Sequence, residues 1–185
     1  MEMENAASLE IAVSTSALGL ACWAGWLDWR SRRIPNWLTI PALLIGLGVN
    51  TLGWGWPGAK AALEGAGLAM GILLPFVMAR GLGAGDWKLM GSLGAFLGPQ
   101  RITVVLLGTV LISGLMAIVE LVRKRRVRET LVNLWILIVA YSTFRISSAE
   151  GITLDNPKLL KVPFGVAAAL AMALFFCTVT AIRVF

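Results

Sequence analysis

Runs of apolar residues separated by short polar segments dominate this chain of 185 residues. Five of the runs have 17 to 23 residues, which is the length that a helix needs to cross a bilayer. A sixth run, over 89–100, is shorter and would span only if its flanks extend it or other helices surround it. The pattern predicts an all-α polytopic membrane protein with about six transmembrane helices. We place them at about 9–28, 37–56, 61–80, 87–99, 102–122 and 162–182.

The segment 123–161, between the fifth and sixth predicted helices, has a different pattern. It begins with basic residues, and its apolar stretch over 130–144 is short for a crossing. We expect 130–144 to lie against the cytoplasmic surface of the membrane. Because no long linker interrupts the chain, we predict a single membrane-embedded domain over 1–185.

Basic residues set the expected orientation, because Lys and Arg near the ends of crossings are retained on the cytoplasmic side. With six crossings and both termini outside, all of the 16 Lys and Arg residues except Lys60, Arg101 and Arg183 fall on the cytoplasmic side. A seventh crossing through 130–144 would move two of these lysines outside. The charges therefore favour six crossings.

The composition excludes several kinds of site. The chain has no His, which excludes His-based triads and imidazole metal sites. Its two cysteines, Cys22 and Cys177, form no CxxC pair and are interpreted as apolar helix residues. The basic run over 123–128 lies beside a span, where it favours anionic lipid over nucleic acid. We expect no metal, no cofactor and no nucleic-acid partner.

Four acidic residues lie near the ends of predicted helices, where an unpaired carboxylate is costly. They are Asp28, Glu64, Asp86 and Glu120. Glu64 lies one turn into the third helix on the outer side, and Glu120 can pair with Arg123 at (i, i+3). We interpret these two glutamates as structural.

Asp28 and Asp86 are different, because the two crossings between them return the chain to the same face of the membrane. One interpretation is structural: Asp86 caps a helix through free amides, and Asp28 pairs with nearby arginines. The other is an aspartyl dyad, in which one carboxyl holds a proton while its partner activates a water against a peptide carbonyl. The residue types alone leave both interpretations open.

Three strings around these residues resemble a known family. The first is Asp28 with Arg30, Arg33 and Ile34-Pro35-Asn36, the second is Gly83-Ala84-Gly85-Asp86-Trp87-Lys88-Leu89, and the third is Val162-Pro163-Phe164-Gly165-Val166-Ala167. Their order and their spread over nearly the whole chain resemble the type IV prepilin peptidases, which are GxGD membrane aspartyl proteases. The chain is similar to the short, peptidase-only form of tight-adherence (Flp-type) pilus systems, and it lacks the paired CxxC motifs of bifunctional members.

The resemblance implies that Asp28 and Asp86 are the catalytic pair of a metal-independent aspartic endopeptidase. It would remove the short basic leader of prepilin-like membrane proteins at the cytoplasmic boundary of the bacterial inner membrane, without N-methyltransferase activity. The supporting motif residues would be Arg33, Pro35, Asn36, Gly83, Gly85, Lys88, Pro163, Phe164 and Gly165. Two other functions stay open: a small proton-coupled transporter and a noncatalytic membrane scaffold.

We also expect the apolar helix of the substrate to lie beside the first, fourth and sixth predicted helices. Gly83, Gly85, Gly91 and Gly94 would then be small residues that allow its close approach. The alternative is that these glycines only ease the packing of the protein's own helices.

Overall fold

The computed structural model describes residues 2–78, 81–124 and 163–184. Within these residues all regular secondary structure is helical, as predicted. The helices are α1 (Glu2–Ser31), α2 (Asn36–Met78), α3 (Ala84–Arg123) and α4 (Phe164–Val184). The predicted interfacial segment 130–144 and the rest of 125–162 lie outside the described residues.

Helix α2 reverses its direction at Gly55, whose φ of 63° and ψ of −143° are not helical. The reversal brings Gly58 against the backbone carbonyl of Asn50, so closely that a side chain at position 58 has no room. Pro57 follows in the first turn of the second half, where its missing N–H leaves no helical bond unmade. The reversal therefore occurs just before the 57–60 link that the sequence predicts.

Helix α3 breaks in the same way at Gly98, with φ 72° and ψ 175°, and Pro99 follows. The missing N–H of Pro99 leaves the carbonyl of Ala95 without its helical donor. The buried Asn50 side chain supplies one: its Nδ2 lies 2.9 Å from the Ala95 oxygen and 3.1 Å from the Phe96 oxygen. Asn50 thus joins the reversal of α2 to the break in α3.

Contacts along the second half of α3 show that it runs back toward the end where α1 finishes. Arg101 pairs with Glu10 at 3.0 Å, near the start of α1. Gly108 then meets Ala171 of α4. The described residues therefore form six helical segments, because α2 and α3 each divide into two at a glycine.

Three of the described helices are long and apolar enough to cross a membrane. They are Asn36–Met78, Ala84–Arg123 and the Phe164–Ala181 part of α4. The count of six crossings stays a prediction.

Small residues bring the helices close together. The backbone carbonyls of Gly65 and Gly94 each occupy the space that a Cβ of the other would need, and Gly25 packs against Ala169 of α4. Small residues at helix contacts are typical of membrane bundles, in which close backbone approach replaces the hydrophobic driving force between helices. Large apolar side chains such as Leu52 and Leu111 instead lie exposed on the outer surface.

Tryptophans collect near both ends of the first half of α2. Trp23 and Trp37 meet edge to face with ring centroids 6.0 Å apart, and the Arg30 guanidinium lies 5.8 Å from the Trp26 ring. At the other end of this segment, where α2 reverses at Gly55, Trp56 is exposed. We call this end of the bundle the reversal end. The 18 residues from Trp37 to Trp54 rise about 26 Å as a helix, close to the thickness of a hydrocarbon core. Tryptophan belts with this spacing are typical of membrane interfaces.

Candidate active site

Asp28 lies in the last turn of α1 and is buried. The helix ends with Arg32 in the left-handed region at φ 51°, where its N–H donates to the Asp28 carbonyl at 2.8 Å. Residues 33–35 are not helical, and the carbonyl of Pro35 then accepts the N–H of Leu38 in the first turn of α2. This tight connection keeps the beginning of α2 beside the end of α1.

The carboxylate of Asp28 meets the first turn of α4. The N–H of Gly165 donates to Asp28 Oδ2 at 2.8 Å, and the N–H of Val166 is a second donor to the same carboxylate. The first N–H groups of a helix have no partner inside the helix, so Asp28 caps α4 from a distant part of the chain. A Cβ on Gly165 would lie 2.9 Å from the Asp28 Cβ and 3.1 Å from Oδ2, so only glycine fits this contact.

Asp86 occupies the third position of α3, which begins at Ala84 and not at 87 as predicted. The cap residue is Gly83, which has extended backbone angles and no side chain to offer. The Asp86 carboxylate reaches back to the N–H of Gly83, as the third residue does in a capping box. Asp86 therefore does not occupy the N-cap position that its structural interpretation requires.

Ile34 connects the two carboxylate sites. If Gly85 carried a Cβ, that atom would lie 2.9 Å from the Ile34 backbone oxygen. A Cβ on Gly165 would lie 3.2 Å from Ile34 Cδ1. The Ile34 side chain is buried between the turn that carries Asp86 and the first turn of α4, which Asp28 caps. Asp28 and Asp86 thus lie at the same end of the bundle and interact electrostatically.

The other predicted motif residues lie at this end too, although their contacts differ. Lys88 Nζ donates to Asn36 Oδ1 at 3.0 Å. Phe164 packs against the core at the start of α4, and the carbonyl of Pro163 accepts the N–H of Ala167. The side chain of Arg33 is exposed. Three strings that are far apart in sequence therefore converge on one end of the bundle.

The sequence profile of the type IV leader peptidase family matches residues 15–118, which is more than half of the chain. The chain belongs to the type IV leader peptidase family. The matched range includes both aspartates with their surrounding strings, whereas the Pro163-Phe164-Gly165 string lies beyond it. No curated protein and no solved structure matches the chain.

In this leader peptidase family member, two predicted assignments require correction. Gly91 packs against Met70 and Gly94 against Gly65, both inside the bundle, so neither glycine offers a surface to a substrate. Glu120 pairs with Lys124 at 2.9 Å and not with the predicted partner Arg123. Helix geometry permits both spacings, and the sequence alone did not choose between them.

Three neighbours of the site make contacts that the sequence did not specify. Ile34 stands inside the first string, but its burial between α3 and α4 depends on tertiary packing. The Trp87 indole N–H donates to the Met70 carbonyl at 2.8 Å, which ties the first turn of α3 to the second half of α2. Arg32 adopts a positive φ where glycine is the common residue, and it interacts electrostatically with Asp28.

The arrangement can perform proton-transfer chemistry. Two carboxylates, the buried Asp28 and the half-buried Asp86, lie at one end of the bundle, and backbone N–H groups orient each of them. Among the described residues, no group of three or more Cys, Asp or Glu side chains could hold a metal ion.

Proposed function

We propose that this chain is a membrane aspartic endopeptidase that removes the short basic leader of type IV prepilin-like proteins, with Asp28 and Asp86 as its catalytic pair. The convergence of these two aspartates on one end of the bundle carries the proposal. Family membership supports leader-peptidase activity in general. The short leader and the absence of N-methyltransferase activity are parts of the proposal that rest on the sequence resemblance.

The proposed mechanism needs one proton shared by the two carboxyl groups. Because two adjacent carboxylates resist ionising together, one holds the proton and the other accepts a proton from a water molecule. The water oxygen bonds to the carbonyl carbon of the scissile peptide, and the protonated carboxyl then gives its proton to the leaving nitrogen as the C–N bond breaks. The pair titrates as a unit, so its two proton affinities belong to the dyad.

The N-terminus of α4 contributes to this mechanism. The Gly165 N–H and the positive end of the helix stabilise negative charge on Asp28 and fix the direction of its carboxylate. This is a role for the Pro163-Phe164-Gly165 string, which brings a glycine to a position where a Cβ would collide with Asp28.

We further propose six crossings of the bacterial inner membrane. The end of the bundle that holds Asp28 and Asp86, the aspartate end, faces the cytoplasm. The six helical segments and the two groups of tryptophans support this number. Cytoplasmic orientation is supported by the basic residues at the aspartate end, namely Arg30, Arg32, Arg33, Lys88, Arg123 and Lys124. The partners are then the lipid bilayer and the apolar helix of the substrate.

Cleavage by the purified full chain tests the proposed activity. The chain in detergent or liposomes is incubated with a prepilin fragment that contains the prepilin leader and apolar helix. The masses of the products are measured by mass spectrometry. We expect one cut at the end of the leader. A chain that cuts none of a panel of prepilins would contradict the proposal and favour a noncatalytic scaffold. Proton flux across the same liposomes without cleavage would favour a transporter.

Thiol labelling tests the orientation. Cys22 and Cys177 are exposed and are first replaced by alanine. A cysteine at Trp56, which is exposed just past the α2 reversal, should react with an impermeant reagent in intact cells, whereas one at Ser31 should be protected. Labelling of position 31 from outside would reverse the proposed topology.

A further inference from the structure

A side-chain hydrogen bond joins the first turns of α2 and α3. Lys88 Nζ donates to Asn36 Oδ1 at 3.0 Å. Lys88 follows Asp86 by two residues in α3, and Asn36 begins α2 directly after the short connection from Asp28. The bond therefore links the two chain segments that hold the aspartates.

We infer that Lys88 and Asn36 are a positioning pair that sets the separation of the Asp28 and Asp86 carboxyl groups. This inference rests on the proposed function, because it gives the pair a role in dyad geometry. Neither residue touches the reacting atoms in this role. Each acts through the backbone of the turn to which it belongs.

The contacts on either side show why the bond is well placed for this role. One face of α3 meets the start of α2 at three levels. Gly85 lies against the Ile34 backbone, Lys88 bonds to Asn36, and Ser92 Oγ donates to the Thr39 carbonyl at 2.7 Å. The Ser92 bond is one turn farther from Asp86 than the Lys88 bond. Lys88 and Asn36 therefore form the side-chain tie that lies next to the dyad.

The dyad needs such a tie because its two carboxyl groups interact unfavourably when both are charged. The glycine contact at Ile34 is steric, so it limits how closely the segments approach but not how far they separate. A hydrogen bond opposes separation. The Lys88 ammonium has a neutral amide oxygen as its partner, which holds the segments together without adding a third carboxylate.

Kinetics of four variants test the positioning role. Asn36→Leu removes the acceptor and leaves the lysine charge, Lys88→Met removes the donor and the charge, and the double variant removes both. We expect each single variant to lower kcat about 10- to 100-fold with KM nearly unchanged, because small misplacements of reacting groups are that costly. The double variant should be no worse than either single one, since both disrupt one interaction. Asn36→Gln keeps a neutral amide acceptor and should retain more activity than Asn36→Leu.

Ser92→Ala is the matched control. It removes the bond to the Thr39 carbonyl between the same helices, one turn farther from Asp86. The control should lower the thermal unfolding midpoint while kcat stays unchanged. Unchanged kcat in Asn36→Leu would overturn the inference. A much larger loss in Lys88→Met than in Asn36→Leu, with a shifted pH profile, would also overturn it, because Lys88 would then act through its charge alone.

Crosslinking separates this inference from the proposed function. Cysteines replace Asp28 and Asp86 in a chain whose Cys22 and Cys177 are alanine, and bifunctional thiol reagents of graded length report the separation. We expect the shortest reagent to react readily in the parent and more slowly in the Asn36→Leu variant. Equal crosslinking in both would refute the positioning role even if the wild-type chain is a peptidase. A difference would support it even if no prepilin is cut.

Discussion

The two ends of the bundle solve the same structural problem with different chemistry. At the reversal end, the break before Pro99 leaves carbonyl groups without donors, and the neutral amide of Asn50 lies beside them. At the aspartate end, two helix N-termini present free N–H groups, and the carboxylates of Asp28 and Asp86 accept them. Neutral side chains such as Ser or Asn also cap helix N-termini well, so capping alone does not require two anions.

The difference supports the proposal that the end with Asp28 and Asp86 is the catalytic one. A second carboxylate beside the first adds repulsion and the cost of burying charge, and it gives the fold nothing that an asparagine would not. Conflict between local stability and residue choice is typical of functional sites. The reversal end shows no such conflict, because its ion pair of Glu10 and Arg101 joins opposite charges.

The largest expected effect is the loss of cleavage on removing either carboxylate. Asp28→Asn or Asp86→Asn should lower kcat/KM by at least about 1,000-fold, because each removes half of the proton-transfer pair. The thermal unfolding midpoint should hold or rise, since the repulsion between the two carboxylates is gone. Prepilin cleavage and thermal unfolding are measured on the same preparations.

Glu64→Gln is the matched control for the aspartate variants. Glu64 is exposed and pairs with Lys60 at 3.8 Å, away from the dyad, so its loss should leave cleavage unchanged. A single aspartate variant that cuts at the wild-type rate would remove that residue from the catalytic pair.

A smaller effect is expected from crowding Asp28. Gly165→Ala places a methyl group 2.9 Å from the Asp28 Cβ, so the carboxylate or the first turn of α4 must shift. Cleavage should fall about 10- to 100-fold.

Gly67→Ala is the comparison, because nothing lies within 4 Å of its added Cβ. It should preserve cleavage and add about 0.5–1 kcal/mol of stability. Equal activity of the two variants would show that the contact between Gly165 and Asp28 does not affect catalysis.

At the reversal end we expect stability to change without catalysis. Asn50→Leu leaves the carbonyl groups of Ala95 and Phe96 without this donor and should cost about 1–3 kcal/mol in unfolding free energy. Activity per folded molecule should stay the same. Thr51→Val serves as the control, because the exposed Thr51 hydroxyl bonds only to its own helix at Leu47. A fall in kcat of folded Asn50→Leu would show that the two ends are coupled.

The sequence predicted an all-helical fold and the convergence of the aspartates, because the length and order of the apolar runs can be read from local pattern. The positions of the turns were less accurate. The prediction ended the second helix at about 56 and began the third at about 61, whereas the chain reverses at Gly55 and Pro57 belongs to the next helix. A proline in the first turn of a helix and a proline in a loop look alike in sequence. The roles of Ile34 and Asn50 could not be predicted, since each depends on partners in distant segments.

The smallest expected effect concerns the ion pair at the reversal end. Glu10 and Arg101 are each about one third exposed, at 32% and 35% of the side chain, so solvent weakens their attraction. Arg101→Gln should cost about 0.5–1 kcal/mol of stability at low salt, and less as salt screens the pair. Thermal unfolding at two salt concentrations measures this, with prepilin cleavage measured alongside. Because Arg101 lies at the opposite end from Asp28, cleavage should not change. A loss of cleavage with intact stability would mean that the reversal end takes part in catalysis, and the contrast between the two ends would fail.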